Sequence, residues 1–169
     1  MPPLPPRWSS IIRFLHLAVI VAMAGAFAML ALKGFFPRGE RLVVWIWHFG
    51  FGASVLMLAL PRLVLRLSSP PPHAWTGGFV GVMAKGMTFV LYVLMLMVPI
   101  SGLLASPEKM SSPVLFGFLP LPLETGTVSD MAAEFHEGAA WTLGILVAGH
   151  VFMAVAHGIK DRVFWRRMF

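Results

Sequence analysis

Six histidines are the residues of this sequence best suited to chemistry, and five of them lie in or at the ends of long apolar runs. A polar side chain at such depth in a membrane costs free energy and usually serves a function. The sixth, His73, lies in a proline-rich connection, where we expect its side chain to be solvated. The five that need a functional role are His16, His48, His136, His150 and His157.

The elements that position these histidines are four apolar runs of about 20 residues or more, the length that an α-helix needs to cross a bilayer. At that depth every backbone hydrogen bond must close within the segment, so we expect helices. Of the 169 residues, 58% are hydrophobic and only 12% are charged, against about 25% charged in soluble domains. The sequence predicts a single all-α domain over 1–169, an integral membrane four-helix bundle with helices at about 12–32, 43–65, 79–104 and 135–159.

Depth in the membrane sorts four of the histidines into two pairs. On the fourth helix, His136 and His150 are 14 residues apart, which is about 21 Å and within roughly 40° of the same face. His48 opens the second helix at the level of His136, and His16 lies near the start of the first helix at the level of His150. A b-type haem with two axial imidazoles requires two histidines that face each other inside a bundle. We therefore predict two haems, an outer one on His48 and His136 and an inner one on His16 and His150.

The same histidines could instead serve the helices themselves, as caps or as hydrogen-bonding partners of neighbouring helices. A single zinc or copper ion is disfavoured, because the pairs are too far apart to share one ion and no carboxylate lies at the inner level. The chain has no cysteine, which excludes iron–sulfur clusters and covalently attached haem.

The basic residues predict the orientation. The net charge is +6, but the charges lie at the ends of apolar runs and form no basic stripe, so we expect no nucleic-acid partner. The side with the termini holds nine basic residues and the other side four, which predicts both termini on the cytoplasmic side of a multi-pass protein of the inner-membrane type. We read the first run as a retained helix, and the stretch Phe116–Leu123 as lying on the membrane surface. The nine are Arg7, Arg13, Arg62, Arg66, Lys85, Lys160, Arg162, Arg166 and Arg167; the four are Lys33, Arg38, Arg41 and Lys109.

Several segments together resemble the bacterial cytochrome b561 family, most closely its superoxide oxidase members. The resemblance covers nearly the whole chain and implies four helices, two b haems on the histidine pairs named above, and a quinone. The matching segments are Arg13-Phe14-Leu15-His16, Lys33-Gly34-Phe35-Phe36-Pro37-Arg38, His48, Arg62-Leu63-Val64-Leu65-Arg66, Leu91-Tyr92, Pro99-Ile100-Ser101-Gly102, His136-Glu137, His150 and His157.

The resemblance also implies electron transfer between superoxide at the outer face and ubiquinone in the membrane. Three cations cluster near His48: Lys33, Arg38 and Arg41. Such a patch would raise the local concentration and the association rate of the superoxide anion. The alternative is that these charges contact lipid headgroups only.

At the inner end, Lys85, Thr88 and His157 are the candidate quinone residues. Lys85 and His157 could donate hydrogen bonds to quinone oxygens and carry protons. Thr88 stands where family members often carry a histidine. The alternative is that Lys85 extends to the interface and His157 is an ordinary helix-end residue.

Two further functions are compatible with the whole chain. It could be a membrane anchor that relays electrons from a partner dehydrogenase or hydrogenase to quinone, or a haem-free transporter or scaffold.

Overall fold

Four long helices build the computed structural model, which describes residues 8–69, 78–105, 114–120 and 130–160. Each is long and apolar enough to cross a membrane, which confirms the predicted all-α, four-helix fold. The helices are α1 Ser10–Leu32, α2 Arg41–Ser68, α3 Gly78–Leu104 and α4 Asp130–Lys160.

We name the two ends of the bundle after the parts of the chain that lie there. At the connection end, α1 leads into α2 through two short 3-10 turns, Lys33–Phe35 and Arg38–Glu40, and α3 leads into α4. At the terminal end, α1 begins and α4 ends. Helices α1 and α2 pack against each other, and α3 packs against both α2 and α4.

The helices extend beyond the apolar runs that predict them, because polar residues form their ends. Helix α4 starts at Asp130, and the negative charge of this side chain stabilises the helix by its interaction with the positive end of the helix dipole. Helix α1 starts at Ser10, and the Ser9 hydroxyl accepts a 3.5 Å hydrogen bond from the Ile12 amide. Helix α2 ends before Ser69, whose extended backbone is the conformation favoured ahead of a proline.

A small core joins the helices, and most large apolar side chains point away from it. Ala22, Ala59 and Ala139 are buried, so small side chains let the helix backbones approach closely, as in other membrane bundles. By contrast, Phe14 is 67% exposed and Phe152 is 71% exposed. In a membrane-spanning protein these outward faces contact lipid. The core residues are Val19, Ala22, Met23, Val55, Ala59, Leu91, Tyr92, Met95, Val98, Ala139 and Leu143.

Part of the third connection folds back onto α2. Val114–Leu115 pairs with Leu119–Pro120 in an antiparallel hairpin. Phe116, at a positive φ of 53°, lays its ring over Gly50, where an added Cβ would approach that ring to 2.8 Å. Within the surface stretch predicted at Phe116–Leu123, Phe116 is thus packed on α2, whereas Phe118 is 77% exposed. Residues 121–123, and His73 with its neighbouring prolines, lie outside the described residues.

Candidate haem sites

Two histidine rings face each other at the connection end of the bundle. His48, near the start of α2, and His136, near the start of α4, have ring centres 6.2 Å apart and ring planes at 87°. The two helices enter this end in the same direction, so the two side chains reach the same depth. This is the pair that the depth argument places together.

A backbone carbonyl of a neighbouring helix holds each ring. His48 Nδ1 lies 2.9 Å from the Ala26 carbonyl oxygen of α1, and His136 Nδ1 lies 2.8 Å from the Val98 carbonyl oxygen of α3. Because a carbonyl only accepts hydrogen bonds, each Nδ1 carries a proton, and in the neutral imidazole the Nε2 is then the nitrogen with the lone pair. Such outer hydrogen bonds fix the tautomer and orientation of metal-binding histidines.

The spacing of the rings matches two axial ligands on one iron. A metal–imidazole bond is about 2 Å long, and each ligating nitrogen lies about 1 Å from its ring centre, so two axial rings are about 6 Å apart. The observed 6.2 Å agrees with this separation. In the described part of the chain, no three His, Cys, Asp or Glu side chains are grouped so that they could hold one metal ion, so the pair supplies two imidazoles and no third ligand.

A cavity of about 580 Å³ surrounds this pair, with walls from all four helices. Gly52 lines it, and a Cβ added at Gly52 would meet no atom within 4 Å, so it would extend into open space. Gly102 closes the cavity behind His136, where an added Cβ would lie 2.8 Å from the imidazole Cε1. The walls fit a flat apolar group; they include Phe27, Leu30, Trp45, Phe49, Pro99, Leu103, Ala140 and Trp141.

The second pair lies toward the terminal end. His16 of α1 is within electrostatic range of His150 of α4, and also of two arginines of α2, Arg62 and Arg66. His150 is likewise within range of both arginines. His150 is about 21 Å along α4 from His136, so the two pairs occupy opposite halves of the bundle.

Comparison with known proteins identifies the family. The family model of prokaryotic cytochrome b561 matches residues 7–169. The chain belongs to this family. It is 29% identical over 174 residues to cytochrome b561 homolog 1 of Escherichia coli strain K12, covering 96% of this chain and 97% of that protein. It is 26% identical over 161 residues to the probable superoxide oxidase CybB of Yersinia pestis, covering 91% of each.

Membership of the cytochrome b561 family makes the chain a multi-pass bacterial membrane protein of electron transfer that binds haem b. The residues present fit that cofactor on grounds independent of the family. Two imidazoles whose Nδ1 atoms are held by carbonyls have ring centres at the spacing of two axial ligands, and an apolar cavity surrounds them.

Of the three cations predicted to attract superoxide, the structure brings only one to the cavity of this cytochrome b561. Lys33 lines it and lies over the Trp45 ring, with Nζ 4.7 Å from the ring centre. The Arg41 Nε donates a 3.4 Å hydrogen bond to the Phe36 carbonyl oxygen, and Arg38 is exposed on the neighbouring 3-10 turn. Neither arginine is among the described residues that line the cavity.

The three predicted quinone residues lie on α3 and α4, outside the cavity around His48 and His136. Lys85 is exposed on α3. The Thr88 hydroxyl donates to the Ala84 carbonyl oxygen at 2.8 Å, and His157 Nδ1 lies 2.7 Å from the Met153 carbonyl oxygen. Each of these two hydrogen bonds is a contact within one helix, so neither joins the three residues into one site.

The structure adds polar residues that the sequence analysis did not single out as site residues. Glu137 lines the His48–His136 cavity. Arg62 is buried and donates from Nη1 to the hydroxyl of Tyr92 on α3. Arg66 lies over the same tyrosine ring. The sequence does contain one indication of Arg62 and Arg66 as a pair, since arginines four residues apart share a helix face. Their tyrosine partner could not be predicted, because it depends on how α2 packs against α3.

Proposed function

We propose that the chain is a di-haem b oxidoreductase that passes electrons from superoxide to ubiquinone. His48 and His136 ligate one haem, and His16 and His150 ligate the other. The observation that carries the proposal is the His48–His136 geometry, with rings 6.2 Å apart and each Nδ1 anchored on a carbonyl. The similarity to a probable superoxide oxidase at 26% identity supports the choice of substrate.

Haem iron, when bound, accepts and releases single electrons. The electrons balance when two superoxide anions each lose one electron and become dioxygen. One ubiquinone gains these two electrons and two protons and becomes ubiquinol. The histidines hold the iron between helices that span the membrane, so the two pairs supply electron-carrying sites in opposite halves of the bundle.

Lys33 is the residue best placed to draw superoxide toward the His48–His136 site. The residue lines the cavity, its Nζ lies 4.7 Å from the ring centre of Trp45, which lines it as well, and a positive charge near an opening raises the local concentration of an anion. Arg38, on the turn that follows, and Arg41, at the start of α2, extend the positive charge outside the cavity. Glu137, which also lines the cavity, opposes this attraction, so the balance between Lys33 and Glu137 sets the field at this site.

Lys85, Thr88 and His157 are the proposed quinone residues of the other half. An ammonium group and an imidazole can donate hydrogen bonds to the quinone oxygens and supply protons on reduction. The excess of basic residues on the side of the termini supports a cytoplasmic location for both termini. With this orientation in the bacterial inner membrane, superoxide is oxidised at the outer face and quinone is reduced near the inner one.

Purified protein tests the proposal directly. The expected result is a reducible b-type spectrum with two haems per chain, and quinone reduction that requires a superoxide source and stops when superoxide dismutase is added. Haems that superoxide leaves oxidised, but that a partner dehydrogenase reduces, would instead support the electron-relay anchor. A protein without a haem spectrum would contradict both functions.

A further inference from the structure

Two arginines near the terminal end of α2 are held in unusual surroundings for charged side chains of a membrane helix. Arg62 is only 8% exposed. Its Nη1 donates to the Tyr92 hydroxyl, whereas its buried Nε has no hydrogen-bond partner among the described residues. Arg66, one turn further on, has its guanidinium 5.4 Å from the Trp8 ring centre and 6.0 Å from the Tyr92 ring centre.

Neither arginine has a carboxylate partner in the part of the chain that the structure describes. The acidic residues there all lie at the connection end, before α2 or in the first turns of α4: Glu40, Asp130, Glu134 and Glu137. A buried charge without a counter-charge is costly. Cations inside a membrane bundle generally pair with another group or line a functional pathway. The buried guanidinium of Arg62 and the half-buried one of Arg66 beside it are therefore suited to bind an anion that the described residues do not supply.

The position of the arginines points to the anion. Arg66 lies over Trp8, just before the start of α1, and Arg62 is one turn away along α2, so both lie in the same half of the bundle as His16 and His150, the proposed ligands of the second haem. Haem b carries two propionate carboxylates, one for each guanidinium. We propose that Arg62 and Arg66 form a carboxylate-binding site that holds the propionates of this haem. The inference rests on the proposed function, because it requires a haem on His16 and His150.

Arginine suits this role better than lysine would. The guanidinium stays charged when it is desolvated and binds a carboxylate through two parallel N–H donors. Tyr92 acts as a positioning residue: its hydroxyl occupies one donor of Arg62, and its ring lies beside both guanidinium groups. The remaining N–H donors of each guanidinium are available to bind the cofactor.

The first test measures the reduction potentials of both haems in the purified, full-length holoprotein. A positive charge beside a haem favours the reduced iron, so Arg62→Gln lowers the potential of the His16–His150 haem. We expect at least a tenfold change in its reduction equilibrium, which is about 59 mV for one electron, and no change at the other haem. Arg62→Lys, which keeps the charge, recovers most of the loss. Tyr92→Phe, which keeps both arginines, changes the potential less than Arg62→Gln does.

The second test replaces the ligand instead of the protein. Full-length apoprotein is reconstituted with haem b or with its dimethyl ester, whose propionates carry no charge. If the arginines hold the propionates, Arg62→Gln weakens the retention of haem b about tenfold or more and leaves that of the ester unchanged. An equal loss with both haems would overturn the inference and make Arg62 a packing residue.

A lipid arm separates the cofactor from the other source of anions in a membrane. The proteins are compared in nanodiscs of a zwitterionic phospholipid and in nanodiscs that also contain an anionic one. If Arg62→Gln lowers the reduction potential of the His16–His150 haem in both kinds of nanodisc, the arginines bind the propionates. If it lowers the potential only in the anionic lipid, the arginines bind a lipid headgroup and the inference is overturned. A wild-type protein with a single haem would remove the second haem site of the proposed function itself, a result distinct from either.

Discussion

Replacing Gly102 by alanine tests whether the position of His136 controls the haem at the connection end. An added Cβ would lie 2.8 Å from the imidazole Cε1 and 3.0 Å from Nδ1. Ordinary van der Waals contact begins near 3.4 Å, so the ring must withdraw by the difference, about 0.6 Å. The ring cannot do this freely, because the Val98 carbonyl oxygen holds its Nδ1 at 2.8 Å.

The magnitude follows from the interactions that the methyl group disturbs. Forcing one extra carbon into a packed site costs about 1–3 kcal/mol, and loss of the Nδ1 hydrogen bond costs about 1 kcal/mol more. The higher helix propensity of alanine does not enter, because α3 is helical with and without haem. The net effect on haem binding is therefore about 2–4 kcal/mol, or roughly a 30- to 900-fold weaker retention of that haem.

The assay is the haem content of purified protein, resolved into its two spectral components by redox titration. We expect Gly102→Ala to lose or shift the component of the His48–His136 haem and to keep the other. Gly86→Ala is the matched control, since it lies on the same helix and an added Cβ there meets no atom within 4 Å. Two unchanged haems in Gly102→Ala, or an equal loss in Gly86→Ala, would refute the reasoning.

Three further predictions concern the proposed roles of individual side chains. His48→Ala and His16→Ala each remove one haem, and difference spectra should show that the two variants lose different components; the same component lost in both would contradict the pairing. Lys33→Gln slows haem reduction by superoxide and makes the rate less dependent on salt concentration. Arg38→Gln has a smaller effect, because Lys33 lines the cavity and Arg38 does not. Stopped-flow rates of Lys33→Gln that equal those of the wild type at low salt would exclude steering by Lys33. His157→Phe keeps both haems but slows the reoxidation of pre-reduced haem by a soluble quinone analogue; an unchanged rate would place the quinone site elsewhere.

The sequence predicts the four helices and the meeting of His48 with His136, because both depend on regular helical geometry. Apolar runs of fixed minimum length define the spans, and residues at the same depth on neighbouring spans come close together. The predicted start of α4, at residue 135, is five residues later than the observed start at Asp130. The polar first turn carries no apolar signal, although its charge suits a helix start.

Contacts between side chains of different helices cannot be predicted in the same way. The bond between Arg62 and Tyr92 depends on the rotation of α2 against α3, which apolar periodicity leaves undefined in helices that face lipid on most sides. The packing of Phe116 over Gly50 joins residues 66 positions apart through a loop with no regular pattern. For the same reason the sequence predicts Lys33, Arg38 and Arg41 in one patch, whereas of these three only Lys33 lines the cavity.

The anchoring of the histidine rings has a consequence for biogenesis. The carbonyl that orients His48 belongs to α1, its partner in the first helical hairpin, and the carbonyl that orients His136 belongs to α3, its partner in the second. Each hairpin therefore contains both its imidazole and the carbonyl that orients that ring, so the orientation can be established within the hairpin itself. His16 and His48 lie in the first half of the chain, and His136 and His150 in the second. A haem bound as proposed would therefore link the two hairpins through one ligand from each, in addition to the packing of α2 against α3.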